Sequence, residues 1–233
     1  MNTRQSLQRS LFLVPAALAL GWTAAVNQFP ATGQTTCWDS SGTVIPCAGT
    51  GQDGDIQAGK TLKYKDNGNG TIKDKVTGLT WEKKSDDSTI HDKDNTYTWD
   101  NGFVFVNTLN NICANDESVN CSVNGDADCA RVGGKCGFAG KRDWRVPNIK
   151  ELQSIVNSQV PFPGPVVSQA FNDNCIGSTV LTGSCTVASN YWSSTTNAGF
   201  PTGAWRVFFF NGLVGANVKD GSLHVRGVRG GLH

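Results

Sequence analysis

The stretch GAWRVFFFNGLVGANV, residues 203–218, decides the fold because it has the clearest β-strand pattern in the chain. Residues 205–210 divide into two alternating sets, as expected for a strand with two different faces. The Asn-Gly pair at 211–212 is a strong hairpin signal between two alternating runs. We therefore predict a hairpin whose first strand has two faces. The inward side chains are Trp205, Val207 and Phe209, and the outward side chains are Arg206, Phe208 and Phe210.

The outward set of this hairpin is the candidate ligand-binding surface. Two exposed phenylalanines beside an arginine form an apolar patch of the kind that marks binding sites. The alternative is that both faces are covered, for example by the N-terminal part of the chain. The predicted ligand-binding residues are Arg206, Phe208, Phe210, Asn217 and Lys219.

Upstream of the hairpin, the spacing of apolar residues predicts two helices. Between residues 97 and 113 the large apolar side chains fall at helical spacing. In residues 145–156, Asn148 is placed as an N-cap and Glu151, three residues later, completes a capping box. The second helix then carries an apolar stripe that we assign to the core, made of Ile149, Leu152, Ile155 and Val156.

Short strands are predicted at residues 71–74 and 79–82, on either side of the turn residues Thr77 and Gly78. Ile72, Leu79 and Trp81 should point inward. Large aromatic side chains bury much area, so we also assign Trp144 and Trp192 to the core.

The chain has eight cysteines, and an even number favours disulfides over metal ligands or reactive thiols. Near neighbours in sequence suggest pairs Cys37–Cys47 and Cys175–Cys185. The remaining four lie in residues 113–136, an insertion with almost no large apolar side chain that would depend on cross-links for its shape. Spacing leaves the pairing among these four open, namely Cys113, Cys121, Cys129 and Cys136.

Acidic turns raise the question of a calcium site, and the sequence argues against one. Residues 66–74 resemble a calcium loop, but Gly68 occupies a position that needs an oxygen ligand. The aspartate pairs at residues 53 and 55 and at residues 126 and 128 have no glutamate at the position where a calcium loop has its bidentate ligand. We predict ordinary turn chemistry, in which Asn and Asp side chains bind nearby backbone amides, and no metal or other cofactor.

The first residues have the order of a secretory signal peptide. Arg4 and Arg9 precede an apolar stretch at residues 11–20 and then small residues, so residues 1–25 are predicted to be removed. No stretch approaches the roughly 20 apolar residues of a membrane span. We therefore expect a secreted or cell-surface protein with an extended N-terminal arm, residues 26–60, and one domain, residues 61–233.

Charge is nearly balanced overall, with a formal net charge of +1, but is unevenly distributed. Residues 26–130 contain eight lysines and fifteen acidic residues, whereas from residue 131 onward there are ten basic and four acidic residues. Such asymmetry could attract a polyanion such as a sulfated glycan, although clustered charge is more often just a solvated face. The further basic candidates are Lys135, Lys141 and Arg142.

Catalytic motifs are missing from the sequence. The histidines, His91, His224 and His233, stand in no nucleophile–base arrangement, and there is no phosphate-binding loop or dinucleotide fingerprint. We expect a non-catalytic protein that binds no nucleic acid and has no membrane span.

Four ordered motifs resemble the Lcl C-terminal domain family, named after the terminal domain of a bacterial collagen-like adhesin. They are NGTIKD with TGLTW (69–81), DWRVP with KEL (143–152), YWSST (191–195) and the hairpin followed by VRGVRG (225–230). The resemblance implies an α+β, C-type-lectin-like fold: two helices packed on short twisted antiparallel sheets, with disulfide-stapled loops. It also implies an extracellular bacterial setting.

This sequence departs from that family in three respects. No collagen-like repeat precedes the domain, and Gly227 stands where family members often have cysteine. The calcium-binding tripeptides of sugar-binding lectins do not occur, which argues against calcium-dependent sugar chelation. We predict an adhesion module that binds an extracellular protein or glycan through its C-terminal strands, or, alternatively, a structural subunit that self-assembles on a cell surface.

Overall fold

The structure, a computed structural model, describes residues 29–231. The predicted signal peptide, residues 1–25, and His233 lie outside these residues. In the described part of the chain the strands are β1 Cys37–Trp38, β2 Val44–Ile45, β3 Tyr64–Asp66, β4 Thr71–Asp74, β5 Leu79–Glu82, β6 Thr96–Tyr97, β7 Ile112–Cys113, β8 Asp116–Asn120, β9 Asn190–Thr196, β10 Gly203–Phe208, β11 Leu213–Val218, β12 Leu223–His224 and β13 Val228–Gly230.

The helices are few and short. They are α1 Asp53–Ile56, α2 Trp99–Asn111, α3 Asp126–Cys129 and α4 Ile149–Gln153, with 3-10 turns at Ala130–Val132, Phe138–Gly140 and Gln169–Phe171. None of the helices within residues 29–231 has the length and apolar character needed to cross a bilayer.

The strands form several small sheets, so the chain belongs to the mixed α/β class. A five-stranded sheet has the order β11-β10-β9-β12-β6, and a four-stranded sheet has the order β13-β5-β4-β3. Neighbouring strands run antiparallel except for β9 and β12. Two-stranded ribbons, β1–β2 and β7–β8, complete the set.

The central strand β9 separates two halves of the core. Consecutive residues of a strand point to opposite faces. Tyr191 accordingly packs with Trp81 and the α4 side of the domain, whereas Trp192 packs with Trp144 and the buried side of α2. The three tryptophans predicted to be buried are in the core, as are Ile72 and Leu79.

Helix α4 has the predicted capping box. The Asn148 side chain accepts from the amide of Glu151, and the Glu151 carboxylate accepts from the amide of Asn148. The helix ends at Gln153, where the Ser154 hydroxyl donates to the Glu151 carbonyl, so the predicted apolar stripe continues beyond it. Val156 instead pairs with Val167 in an isolated β-bridge.

The N-terminal segment is folded against the domain, which corrects the prediction of an extended arm over residues 26–60. Its described part forms the β1–β2 ribbon and α1, closed by the Cys37–Cys47 disulfide. The Gln159 side chain accepts from the amides of Thr35 and Thr36 at 2.7 and 3.1 Å. The segment has few apolar side chains, and its attachment rests partly on these backbone hydrogen bonds, which composition does not reveal.

Disulfides stabilise the loops, and within residues 29–231 no cysteine is free. The two pairs favoured by sequence, Cys37–Cys47 and Cys175–Cys185, are both present. In the cysteine-rich insertion, residues 113–136, the sequence left the pairing of the four cysteines open. The structure contains the disulfides Cys113–Cys129 and Cys121–Cys136. These four buried cysteines form a small core of their own.

Candidate binding surface and buried charge network

The hairpin β10–β11 carries the predicted binding residues. Its ladder runs from the pair Gly203–Val218 to the pair Phe208–Leu213 without interruption. Val207 and Phe209 are fully buried, and the residues that alternate with them are partly exposed: Arg206, Phe208 and Phe210. The hairpin therefore has an inner and an outer face at its turn end.

Trp205 departs from this alternation. The sequence pattern placed it inward, but it is only half-buried, and the neighbouring Ala204 enters the core instead. The cause is an irregularity in the adjoining ladder: Ala204 pairs with Thr196, whereas Arg206 pairs with Trp192. The extra residues of β9 disrupt regular pairing at this point, as a bulge does.

The outer residues form an aromatic face, which we define as Phe162, Arg206, Phe208, Phe210 and Leu213. The rings of Phe208 and Phe210 stack at 5.4 Å, and Phe162 lies 5.9 Å from Phe210. Leu213 lies directly across from Phe208. Phe162 is 68% exposed and Leu213 60%. Sequence reasoning missed Phe162 because it belongs to a distant loop with no strand pattern.

Arg206 lies beside the Phe208 ring of this face. Its guanidinium carbon is 5.9 Å from the centre of the Phe208 ring. The residue opposite is Gly215, and a Cβ there would come within 3.5 Å of the guanidinium. Glycine thus leaves space for the arginine across the strand. The result is an apolar stacking surface with a cation at its border.

Asn217 and Lys219 lie at the other end of the hairpin. Asn217 pairs with Ala204, four residues from Phe208, which is about 13 Å along a strand. The Lys219 ammonium donates to the Thr196 hydroxyl at 2.9 Å and sits 3.9 Å from the Trp99 ring. The structure therefore does not bring these two residues into the aromatic face.

The other basic candidates also lie apart from it. Lys135 belongs to the cysteine-rich insertion, and Lys141 and Arg142 follow it closely in sequence. The Arg142 guanidinium donates to Asn111 at the end of α2. These residues give the aromatic face no additional positive charge through direct contact.

Three arginines of the sequence motifs stabilise loops and chain ends. Arg145 makes two bonds to the Glu151 carboxylate, at 2.7 and 2.6 Å. Arg229 bonds Asp143. Arg226 is fully buried and donates to backbone carbonyls of two segments that are distant in sequence, at Glu82 and Cys185.

A second polar feature, the buried charge network, lies beneath the sheets and consists of Glu82, Lys84, His91, Glu117 and Arg226. The Glu82 carboxylate lies 2.7 Å from His91 Nδ1 and 3.2 Å from the Lys84 ammonium. His91 Nε2 lies 2.9 Å from Glu117, so the imidazole connects the network to the cysteine-rich insertion. Sequence reasoning missed the network because Glu82, Lys84 and His91 lie in a polar stretch that looks solvated, while Glu117 and Arg226 are distant in sequence.

The network shifts the pKa values of its members. Burial alone would raise the pKa of Glu82, but the Lys84 ammonium and the His91 imidazole hold it below its ordinary value. Burial would lower the pKa of His91, but hydrogen bonds to Glu117 and Glu82 outweigh it and raise the pKa. Burial lowers the pKa of Lys84 despite the nearby Glu82. The arrangement favours a charged carboxylate beside a charged imidazolium.

One group of acidic side chains in the described chain has carboxylates close together, at Asp86, Asp92 and Asp94. The Lys93 ammonium binds two of them, Asp86 at 2.6 Å and Asp94 at 2.7 Å. The predicted turn chemistry is present elsewhere: the Asp66 carboxylate accepts from the Gly68 amide. The closeness of these carboxylates is therefore explained by the ion pairs that two of them form with Lys93.

A family model described as the Lcl C-terminal domain matches residues 70–229. No curated protein matches the chain. The matched residues include β4 to β12, the whole aromatic face and the buried charge network, and exclude the N-terminal segment.

Proposed function

The chain belongs to the Lcl C-terminal domain family, an adhesin-associated family, and from this premise we propose that it is a non-catalytic adhesion module. It recognises an extracellular protein or glycan through its C-terminal strands. The observation that carries the proposal is the aromatic face, where three phenylalanines and an arginine share one exposed surface.

The composition of this surface supports a role in binding. Contact energy in interfaces concentrates on aromatic and arginine side chains. Stacking of Phe208 on Phe210 and the contact of Phe162 with Phe210 restrict the orientation of the rings before a ligand arrives, so less conformational entropy is lost on binding. The exposed Leu213 extends the apolar area across the hairpin.

The ligand class that fits best is an acidic glycan. Aromatic rings offer a flat surface to the apolar side of a sugar ring, and the Arg206 guanidinium can bind a carboxylate or sulfate with two hydrogen bonds. Recognition of this kind uses no calcium. A protein ligand would instead present an apolar residue beside an acidic one.

We further propose that the module is exported, performs no catalysis and adopts a C-type-lectin-like arrangement. Disulfides are typical of proteins that fold in oxidising compartments, which supports export. The paired Glu82 and His91 are 0% and 1% exposed, so a substrate has no access to them. The helices and small sheets framing a disulfide-rich loop region support the lectin-like assignment.

A glycan array tests the proposal. We expect the purified chain to capture sulfated or carboxylated glycans, with capture weakened by salt and unchanged by calcium chelation. The variants Phe208→Ala, Phe210→Ala and Arg206→Gln should each reduce capture roughly tenfold, corresponding to about 1.4 kcal/mol. Phe200→Ala, which removes an exposed ring beyond the opposite end of the hairpin, is the matched control and should leave capture unchanged.

Failure of the aromatic-face proposal would be equally clear. Capture that is unaffected by all three variants would place the ligand elsewhere. Capture that requires calcium would replace the aromatic mechanism with a metal-dependent one.

A further inference from the structure

Strand β11 is an edge of the five-stranded sheet. The Lys219 amide donates to the Thr202 carbonyl at 2.9 Å, which fixes the alternation of the antiparallel ladder. Residues 213, 215 and 217 therefore direct their backbone polar groups toward β10. The backbone groups of Val214, Ala216 and Val218 point away from the sheet, and of these the Val218 carbonyl accepts from the Gly221 amide.

This edge differs from the other edges of the two larger sheets in the described chain. The edge strand β3 carries Lys65 and Asp66, and β6 has only two residues. The edge strand β13 bears Arg229 and pairs with Arg145 through an isolated bridge. Charged side chains, a short edge strand and a segment that covers the edge are the usual means by which proteins prevent an edge strand from pairing with another chain.

Strand β11 has none of these protections. Its sequence, LVGANV, is six residues long and contains no charge and no proline. Val214 and Val218 are 37% and 45% exposed. An uncharged, regular edge with exposed apolar side chains is a template for another strand.

We propose that the partner is a second copy of the chain, with the two β11 strands paired antiparallel about a two-fold axis at Ala216. In this register Ala216 faces itself, Val214 faces Val218, and Gly215 faces Asn217. The small alanine side chain fits at the axis, and no like charges meet within the strand. The edge is thus complementary to itself, as a two-fold interface requires.

The pairing would join two five-stranded sheets into one continuous sheet. Because the axis is perpendicular to the sheet, the aromatic faces of both copies point to the same side. Two sites on one rigid surface can bind a polymeric ligand with avidity far above that of one site. The dimer itself goes beyond the proposed ligand binding and does not depend on it.

Sedimentation equilibrium of the full chain over a range of concentrations tests the pairing. We expect a dimer for the unmodified chain and at least tenfold weaker association for Ala216→Lys, because two like charges then meet at the axis. Ala216→Glu should have the same effect. An equimolar mixture of the two variants should dimerise again, since opposite charges now face each other.

Two controls keep the outcome interpretable. Ser122→Lys adds the same charge to an exposed position of the cysteine-rich insertion and should leave the dimer intact. Thermal unfolding should show that Ala216→Lys folds normally. A monomer at all concentrations, or variants that dimerise as the unmodified chain does, would overturn the proposal; so would a monomer whose edge takes up an unrelated extended peptide. Phe208→Ala should reduce glycan capture while leaving the dimer unchanged, which separates this test from that of ligand binding.

Discussion

The buried charge network and the aromatic face are opposites. In the network, Glu82, Lys84 and Arg226 are charged groups with almost no exposure, whereas in the aromatic face Phe162 and Leu213 are apolar and mostly exposed. Each arrangement is unfavourable by itself, because charge loses hydration when buried and apolar surface is poorly accommodated by water. The network offsets this cost through ion pairs and hydrogen bonds within the chain, whereas in our proposal a bound ligand offsets it for the aromatic face.

The contacts of the two regions show the difference. Glu82 is met by a lysine, a histidine and the Gly227 amide, so its interactions are completed within the fold. In the outer face, the Phe210 ring lies beside the rings of Phe162 and Phe208, and Arg206 lies over Phe208. Changes in the network should therefore alter the stability of the domain, while changes in the aromatic face should alter binding.

The largest effect should come from Glu82→Gln. The substitution keeps the shape but removes the carboxylate charge beside the buried Lys84 and leaves His91 paired with Glu117 alone. Breaking a buried ion pair costs roughly 3–5 kcal/mol. Urea denaturation followed by tryptophan fluorescence measures the free energy of unfolding. Asp143→Asn, which breaks the more exposed pair with Arg229, should cost about 1 kcal/mol or less. Equal losses in the two variants would mean that the buried ion pairs of the network stabilise the domain no more than an exposed pair does.

A smaller loss of stability should follow the deprotonation of His91. Its pKa is raised in the folded chain, so the stabilisation from the imidazolium is fully present below the unfolded pKa and is lost as the pH rises through the folded value. We expect a loss of about 1.5–3 kcal/mol, the typical contribution of hydrogen bonds to charged groups. Urea unfolding between pH 6 and pH 9 measures it, and His91→Asn should abolish this pH dependence.

His224 provides the control for that experiment. Burial lowers the pKa of its imidazole, so its contribution has the opposite sign and is lost as the pH falls. The loss attributed to His91 should persist in His224→Asn. If it disappears there instead, the assignment to the network is wrong.

The smallest effect on stability should come from the aromatic face, and two adjacent residues provide a matched test. Phe210→Ala should lower the free energy of unfolding by only about 1 kcal/mol, because the ring is partly exposed. Phe209→Ala should cost about 3–5 kcal/mol, since that ring is buried in the core. Thermal and urea unfolding of both variants give the comparison. Similar losses would mean that the outer ring supports the fold after all.

Local signals in the sequence predicted much of the fold. The Asn-Gly turn, the capping box at Asn148 and Glu151, and the inward Ile72 and Trp81 depend on neighbours in the chain, and the structure contains each of them. The two short disulfide loops belong to the same group. The family membership predicted from the ordered motifs is confirmed by the family model.

What the sequence did not reveal depends on distant residues. His91 lies nine residues after Glu82 but contacts Glu117 on the insertion, and no local pattern distinguishes it from a solvated histidine. Trp205 follows a strict alternation that the extra residues of β9 interrupt. Lys219 and Phe208 lie far apart because of the hairpin register. The candidate residues were grouped from the sequence without use of that register.

The hydrogen bond from the Gly227 amide to the Glu82 carboxylate has a consequence for the order of folding. These two residues are 145 positions apart in sequence, and Arg226 closes a second contact with the same strand. During synthesis from the N-terminal end, the Glu82 carboxylate lacks these partners until residues 226 and 227 have been made. The contacts that close this long loop between Glu82 and residues 226–227 therefore form late. Topologies with such non-local contacts fold slowly.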